Sequence, residues 1–164
     1  MTQPTLLEAA SLLQREAVFI DQRRWSEWLA LYHDDCLFWL PTWRDDDTLI
    51  EDPRREVSFL YLQGKAALAE RIRRLEQGKS ITTHPLPRTC HIVSLPVLLN
   101  GGESPAWHSQ WVNHLYDPRS HESTSFFGGY RHHFVREGAE WRIRQKVISL
   151  ANDRIPTVLD LYSV

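Results

Sequence analysis

The run Ser123-Thr124-Ser125-Phe126-Phe127-Gly128-Gly129-Tyr130-Arg131-His132-His133-Phe134-Val135, followed after a short polar turn by Trp141-Arg142-Ile143-Arg144-Gln145-Lys146-Val147-Ile148-Ser149-Leu150, decides the fold. Both runs lack Pro and are rich in aromatic and β-branched residues, the composition of long strands. Upstream, Arg88 to Leu99 and Trp107 to Tyr116 read the same way. The four segments are separated by Gly, Pro, Asn or Asp turns, Gly101-Gly102 among them. Neighbours joined by such short turns are expected to be antiparallel. Gly128-Gly129 is a strand interruption.

Towards the N-terminus the periodicity changes from two to between three and four. Thr5-Leu6-Leu7-Glu8 is a capping-box pattern, and Leu6, Ala10, Leu13, Ala17 and Ile20 make an amphipathic helix. A second short helix carries Trp25, Trp28, Leu29 and Tyr32 on one side, after which Cys36 to Leu40 reads as a buried strand ended by Pro41. Arg44 to Arg55, with Asp45, Asp46, Asp47, Glu51 and Asp52, is an exposed loop. Val57 to Leu62 is a short strand, and Lys65 to Gln77 is a third helix that Gly78 ends. Helices followed by a run of long strands predict an α+β domain over residues 1–164: a cone-shaped, curved antiparallel sheet wrapped around the N-terminal helices.

The length of 164 residues fits one domain, and no repeat or linker divides it. A formal net charge of -2 gives no reason to expect nucleic acid or an anionic membrane as partner. The start of the chain has no basic leader, and charges interrupt its apolar residues before a membrane span is reached. Two cysteines, Cys36 and Cys90, build no disulfide framework, so a cytoplasmic setting is expected. Lysine is represented only by Lys65, Lys79 and Lys146 among 19 basic residues, and there are seven Trp. That bias matches protein–protein interface cores, and equally a genome rich in G and C.

Eight histidines invite a metal-site reading, but their spacing gives none. His132 and His133 point to opposite faces of a strand, and His108 and His114 share a face about 20 Å apart. His33 with Asp34 and Asp35 lacks a partner at metal-ligand spacing. Cys90-His91 diverges on a strand, with Cys90 expected in the core. An acid–base pocket inside the cone would draw on Tyr32, Asp34, Asp35, His91 or His108; the plainer reading has Asp34 and Asp35 solvating a helix–strand junction. No nucleophile elbow, P-loop or dinucleotide fingerprint is present.

The order of features also carries a resemblance. A helix ending Phe19-Ile20-Asp21, the run Trp28-Leu29-Ala30-Leu31-Tyr32-His33-Asp34-Asp35-Cys36, the motif Pro87-Arg88-Thr89-Cys90-His91-Ile92-Val93-Ser94, the segment Ser125 to Tyr130 and the strand Trp141 to Ile148 follow one another. Together they resemble the small (beta) subunit of bacterial aromatic-ring-hydroxylating dioxygenases, of the benzoate, anthranilate and salicylate type. The wider cone-shaped superfamily includes nuclear transport factor 2 and ketosteroid isomerase.

The resemblance implies a structural, non-catalytic subunit that supports large alpha subunits as α3β3, with beta subunits forming a trimer of their own. A Rieske [2Fe-2S] cluster and a mononuclear non-haem Fe(II) would belong to the alpha chain, with no cofactor or metal here, and ferredoxin or reductase would act on the complex. Candidate contact residues are Trp43, Arg88, His91, Trp107, Arg131, Arg142 and Arg144. The alternatives are a stand-alone isomerase or dehydratase, with Asp34 or Asp35 as base and Tyr32 or His91 as hydrogen-bond donor, and a non-enzymatic ligand-binding or dimerisation domain.

Overall fold

The computed structural model describes residues 2–78, 84–100 and 104–164. The chain begins with α1 (Leu6–Asp21), whose Thr5 cap is reciprocal: the Glu8 amide donates to Thr5 Oγ1 at 3.3 Å and the Thr5 amide to Glu8 Oε2 at 2.7 Å. Its inward stripe is Ala9, Leu12, Leu13, Glu16, Ala17 and Ile20, while Leu6 stays exposed. The helix is therefore rotated from the purely apolar stripe, because Glu16 turns inward to partners described below.

After α2 (Trp25–Ala30) the chain enters β1 (Tyr32–Pro41). Tyr32 thus opens the strand instead of closing the helix, four residues ahead of the expected Cys36. Strand β2 (Ser58–Gln63) pairs antiparallel with β1. Helix α3 (Lys65–Glu76) ends at Gly78, whose φ of 60° lies in the left-handed region that glycine adopts at least cost.

The expected segment Arg88 to Leu99 is two strands, β3 (Arg88–Val93) and β4 (Val97–Leu99), both on the same edge of β5 (Ala106–Asp117). Pro96 cannot donate to a ladder, and Ser94 bridges the break: its amide donates to Gln110 O at 2.9 Å and its hydroxyl accepts from the Gln110 amide at 2.8 Å. Strands β6 (Glu122–Glu137) and β7 (Glu140–Leu150) complete the sheet. The expected Gly101-Gly102 turn lies outside the described residues.

The strand order is β2-β1-β7-β6-β5-β3, with β4 also on β5. The neighbours β3, β5, β6 and β7 pair antiparallel as expected. The one departure is β1 against β7, which is parallel, so the sheet is mixed. Strand β1 enters from α2 and lies beside the last strand of the chain, a join that no short turn dictates.

The inner face of the sheet packs on the helices, Trp28 of α2 among them, through Tyr32, Phe38, Phe126, Ile143, Ile148 and Leu150. The cone is filled. Part of the filling is unforeseen: Leu159, Leu161, Tyr162 and Val164, beyond the last strand, are buried in the same core. A 3-10 turn (Leu161–Ser163) capped by Asp160 shapes this segment. The Asn113 amide donates to Tyr162 O and Ser163 O, both at 2.9 Å, and Arg71 on α3 makes a two-pronged ion pair with Asp160 at 2.9 and 3.0 Å. No helix among the described residues is long and apolar enough to cross a membrane.

Candidate functional site

Two groups of polar side chains occupy the inside of the cone. The first centres on Glu16. The Lys146 ammonium donates to its Oε1 at 2.9 Å, the Tyr32 hydroxyl donates to the same oxygen, and His132 Nε2 lies 3.8 Å from Oε2. Lys146 also sits 4.1 Å above the Tyr130 ring centroid. Burial pushes the Glu16 carboxyl up, but the Lys146 charge, with the hydrogen bonds from Tyr32 and Lys146, outweighs it and holds the carboxyl below its ordinary value. Burial and the adjacent Glu16 charge raise the Tyr32 phenol well above its ordinary value, so it stays a donor. Burial drives His132 down to about 3, which leaves it neutral.

The second group joins the end of α1 to β3. Asp21 Oδ1 lies 2.5 Å from His91 Nδ1 and accepts from Thr89 Oγ1 at 2.7 Å, while Oδ2 accepts from the His91 amide at 2.8 Å. Burial raises the Asp21 carboxyl and these His91 contacts pull it back below its ordinary value. The His91 side chain is 2% exposed. Between the two groups lies a small cavity of about 10 Å³ lined by Glu16, Ala17, Ile20, His91, Val93, Tyr130, Lys146 and Val164.

The outer face is open by contrast. A cleft of about 1300 Å³ runs across it, bounded by the acidic loop at Asp47 to Glu51 and by Leu95, Val97 and Leu99, with Trp39, Val147, His108, Gln110 and Arg131 on its floor. Leu95, Val97, Leu99, Ile92 and Phe127 are all exposed apolar residues on or beside this face. Trp39, Ile50 and Val147 form a small second core beneath the loop.

The expected acid–base residues do not converge. Asp34 and Asp35 are exposed, and Asp34 reaches Lys65 at 3.7 Å, so both solvate the surface near the start of β1. Tyr32 and His91 do point inward, but to Glu16 and Asp21 respectively. His108 lies in the outer cleft, lowered by burial and by Arg131.

The expected contact residues divide as well. Trp107 is 4% exposed and belongs to the core, because it occupies an inner-face position of β5, and His91 is inside for the same reason on β3. Trp43 is partly exposed and donates Nε1–H to Leu150 O at 2.7 Å. Arg88 is exposed, 5.8 Å from the Tyr116 ring. Arg142 is paired with Glu137 and Glu140 at 3.2 and 2.5 Å. Arg131 and Arg144 are exposed, and Arg131 has no ion pair or hydrogen bond among the described residues.

Cys90, expected in the core, is exposed on the outer face, where the alternation of β3 puts Arg88, Cys90 and Ile92 together. Cys36 is buried, and burial raises its thiol to about 11. A Rieske centre needs two Cys and two His around one cluster. Here Cys36 on β1 and Cys90 on β3 are separated by three intervening strands, so the chain's own residues do not fit such a group.

Glu16, Asp21, Lys146 and His132 were not singled out by the sequence. The available signal was a carboxylate within the apolar periodicity of α1 and a rare lysine inside a strand. A bulge hides the second: Ile143 pairs with Phe134 and Gln145 with His133, so Arg144 is the extra residue and Lys146 turns to the face that Ile143 occupies.

A curved sheet closed around N-terminal helices defines a nuclear transport factor 2-like, or cystatin-like, α+β fold. It is shared with an NTF2-like protein of cystatin-like fold from Novosphingobium aromaticivorans, at a TM-score of 0.61 and 17% identity over 90% of this chain and 82% of that one. Within that fold, residues 15–157 match the family described as the ring hydroxylating beta subunit, and the chain belongs to it. The 2-halobenzoate 1,2-dioxygenase small subunit of Burkholderia cepacia is 32% identical over 99% of this chain and 98% of its own length. The crystal structure of the benzoate 1,2-dioxygenase beta subunit of Burkholderia mallei superposes with a TM-score of 0.78 at 25% identity, covering 100% of both chains.

Proposed function

We propose that residues 1–164 form one domain acting as the structural, non-catalytic small subunit of a Rieske non-haem iron oxygenase that hydroxylates an aromatic acid of the benzoate, anthranilate or salicylate class. It assembles as α3β3 in the cytoplasm, around a trimer of its own copies. The Rieske [2Fe-2S] cluster and the Fe(II) reside in the large subunit, to which ferredoxin or reductase delivers electrons. The observation that supports an assembly role is the outer face, which presents a cleft of about 1300 Å³ with exposed Leu95, Val97 and Leu99 at its rim and Arg131 at its floor. Such a surface suits a permanent interface, where apolar area and planar guanidinium groups fix register.

Co-expression with a ring-hydroxylating large subunit, followed by native mass spectrometry with iron and acid-labile sulfide analysis, tests the reading. The expected result is a hexamer of three copies of each chain, with iron and sulfide retained by the large chain. A small chain that ignores the large one, or that turns over an aromatic substrate alone, overturns it.

A further inference from the structure

The Asp21–His91 pair has a feature that a purely structural ion pair does not need. Asp21 is saturated on its own side: Oδ1 faces His91 Nδ1 and accepts from Thr89, and Oδ2 accepts the His91 amide. A carboxylate against Nδ1 keeps the ring proton there, so in the neutral ring Nε2 carries the lone pair. That Nε2 is buried and has no hydrogen-bond partner among the described residues. Buried polar atoms are nearly always paired, and this one belongs to a residue in the wall of the small cavity.

The rest of the wall completes a pattern. Lys146, whose ammonium has one bond to Glu16 and rests on Tyr130, contributes donors, and Ile20, Ala17, Val93 and Val164 contribute apolar surface. The wall therefore combines an acceptor, an ammonium and a hydrocarbon rim. Val164 closes it at the end of the segment that Asn113 and Arg71 clamp in place. Among the boundary residues, Val164 is the one whose backbone belongs to neither helix nor strand.

We propose that this cavity is the inner end of a binding site for a small hydroxylated ligand, an alcohol or a phenol, whose O–H donates to His91 Nε2 while its oxygen accepts from Lys146. The segment Leu159–Val164 closes the site, and the ligand's carbon skeleton takes the space that Val164 fills. At about 10 Å³ the cavity as it stands has the volume of one water molecule, so entry of a ring requires Val164 to give way. The oxygen-binding atoms are already fixed by Asp21 and Glu16, and only the apolar wall has to move.

Phenol and benzene, matched in shape but differing in the hydroxyl, are the probes, titrated into the full chain by ligand-observed NMR and calorimetry. In Val164→Ala, which enlarges the space, phenol binds saturably and about tenfold more tightly than benzene, the increment of one buried hydrogen bond. The wild-type chain binds phenol more weakly, and binding speeds amide exchange in residues 159–164. His91→Asn keeps a donor for Asp21 but lacks Nε2, so in the Val164→Ala background it makes the two probes equivalent. Should that double variant fail to fold, the ¹⁵N shift of His91 Nε2 in Val164→Ala reports directly, moving as its lone pair accepts the phenol proton. Equal affinities for phenol and benzene, no saturable binding, or an unmoved Nε2 resonance overturns the proposal and leaves the cavity as a site for water alone.

Discussion

Lys146 and Arg131 sit on adjacent strands of one sheet and live under opposite rules. Lys146 faces inward, 3% exposed, with Glu16 at 2.9 Å and an aromatic ring beneath it. Arg131 faces outward, exposed and without an ion-pair partner among the described residues. An inner charge must be satisfied within the chain, because its desolvation costs several kcal/mol. An outer one can wait for a partner, because water satisfies it meanwhile. The inner face therefore carries the energetics of the chain, and the outer face is the one on which the proposed assembly rests.

The inner cluster gives the largest expected effect. Glu16→Leu leaves Lys146 buried without its counter-charge and is expected to cost about 3–5 kcal/mol in urea unfolding, while adding Lys146→Met recovers most of the loss. A cost below about 1 kcal/mol for the single change would show that Lys146 escapes to solvent, and the contrast between the faces would collapse.

The second effect is a pH dependence set by His132. In the unfolded chain its imidazole protonates near 6.5, whereas in the fold it stays neutral down to about 3. Between those values the unfolded state binds more protons, so stability falls as pH drops, by up to about 1.4 kcal/mol per pH unit. Glu16 and Asp21, held below their ordinary values, act in the same direction at lower pH: their contribution is present above the unfolded carboxylate pKa and is lost as pH falls through the folded one. His132→Phe, stacked like the native ring near Phe134, removes the first component. Its stability relative to wild type is expected to rise by about 2 kcal/mol between pH 6.5 and 4.5, and an unchanged difference across that window would contradict the buried neutral imidazole.

Adjacent glycines sharpen the comparison at the third level. A Cβ on Gly128 would lie 1.9 Å from Ser149 O, backbone that cannot swing away, whereas on Gly129, which lines the outer cleft, the nearest atoms are 3.8 Å off. Gly128→Ala is expected to cost about 2 kcal/mol through forced displacement of β7, and Gly129→Ala to stay within about 0.5 kcal/mol. Equal melting temperatures for the two variants would refute the close approach.

Which parts of this were legible follows from where the information is local. The Thr5–Glu8 cap, the Gly78 stop and the long strands from Ala106 onward are properties of neighbouring residues, and periodicity exposes them. The parallel pairing of β1 with β7, the return of Leu159–Val164 into the cone and the inward turn of Lys146 are not local. Each depends on a partner more than 45 residues away in sequence, such as Asn113 for Tyr162 and Glu16 for Lys146. Site residues failed for a related reason. Residue type suggests Trp107 as a contact, and alternation along β5 buries it; side-chain chemistry suggests Asp34 and Asp35 as bases, and the strand start exposes them.

The smallest effect on the isolated chain tests the outer face. Val97→Lys puts an ammonium on an exposed position at the cleft rim, where water solvates it and no core contact is lost. Its unfolding free energy is expected to stay within about 0.5 kcal/mol of wild type. In the proposed complex the same charge would be trapped at the contact, so the amount of hexamer recovered on co-expression with the large subunit is expected to fall at least tenfold. Arg131→Ala, which removes the exposed guanidinium from the cleft floor, should behave alike, stable alone and weak in assembly. Full hexamer from both variants would move the interface off this cleft, while loss of stability in the isolated chain would show that the outer face contributes to folding after all.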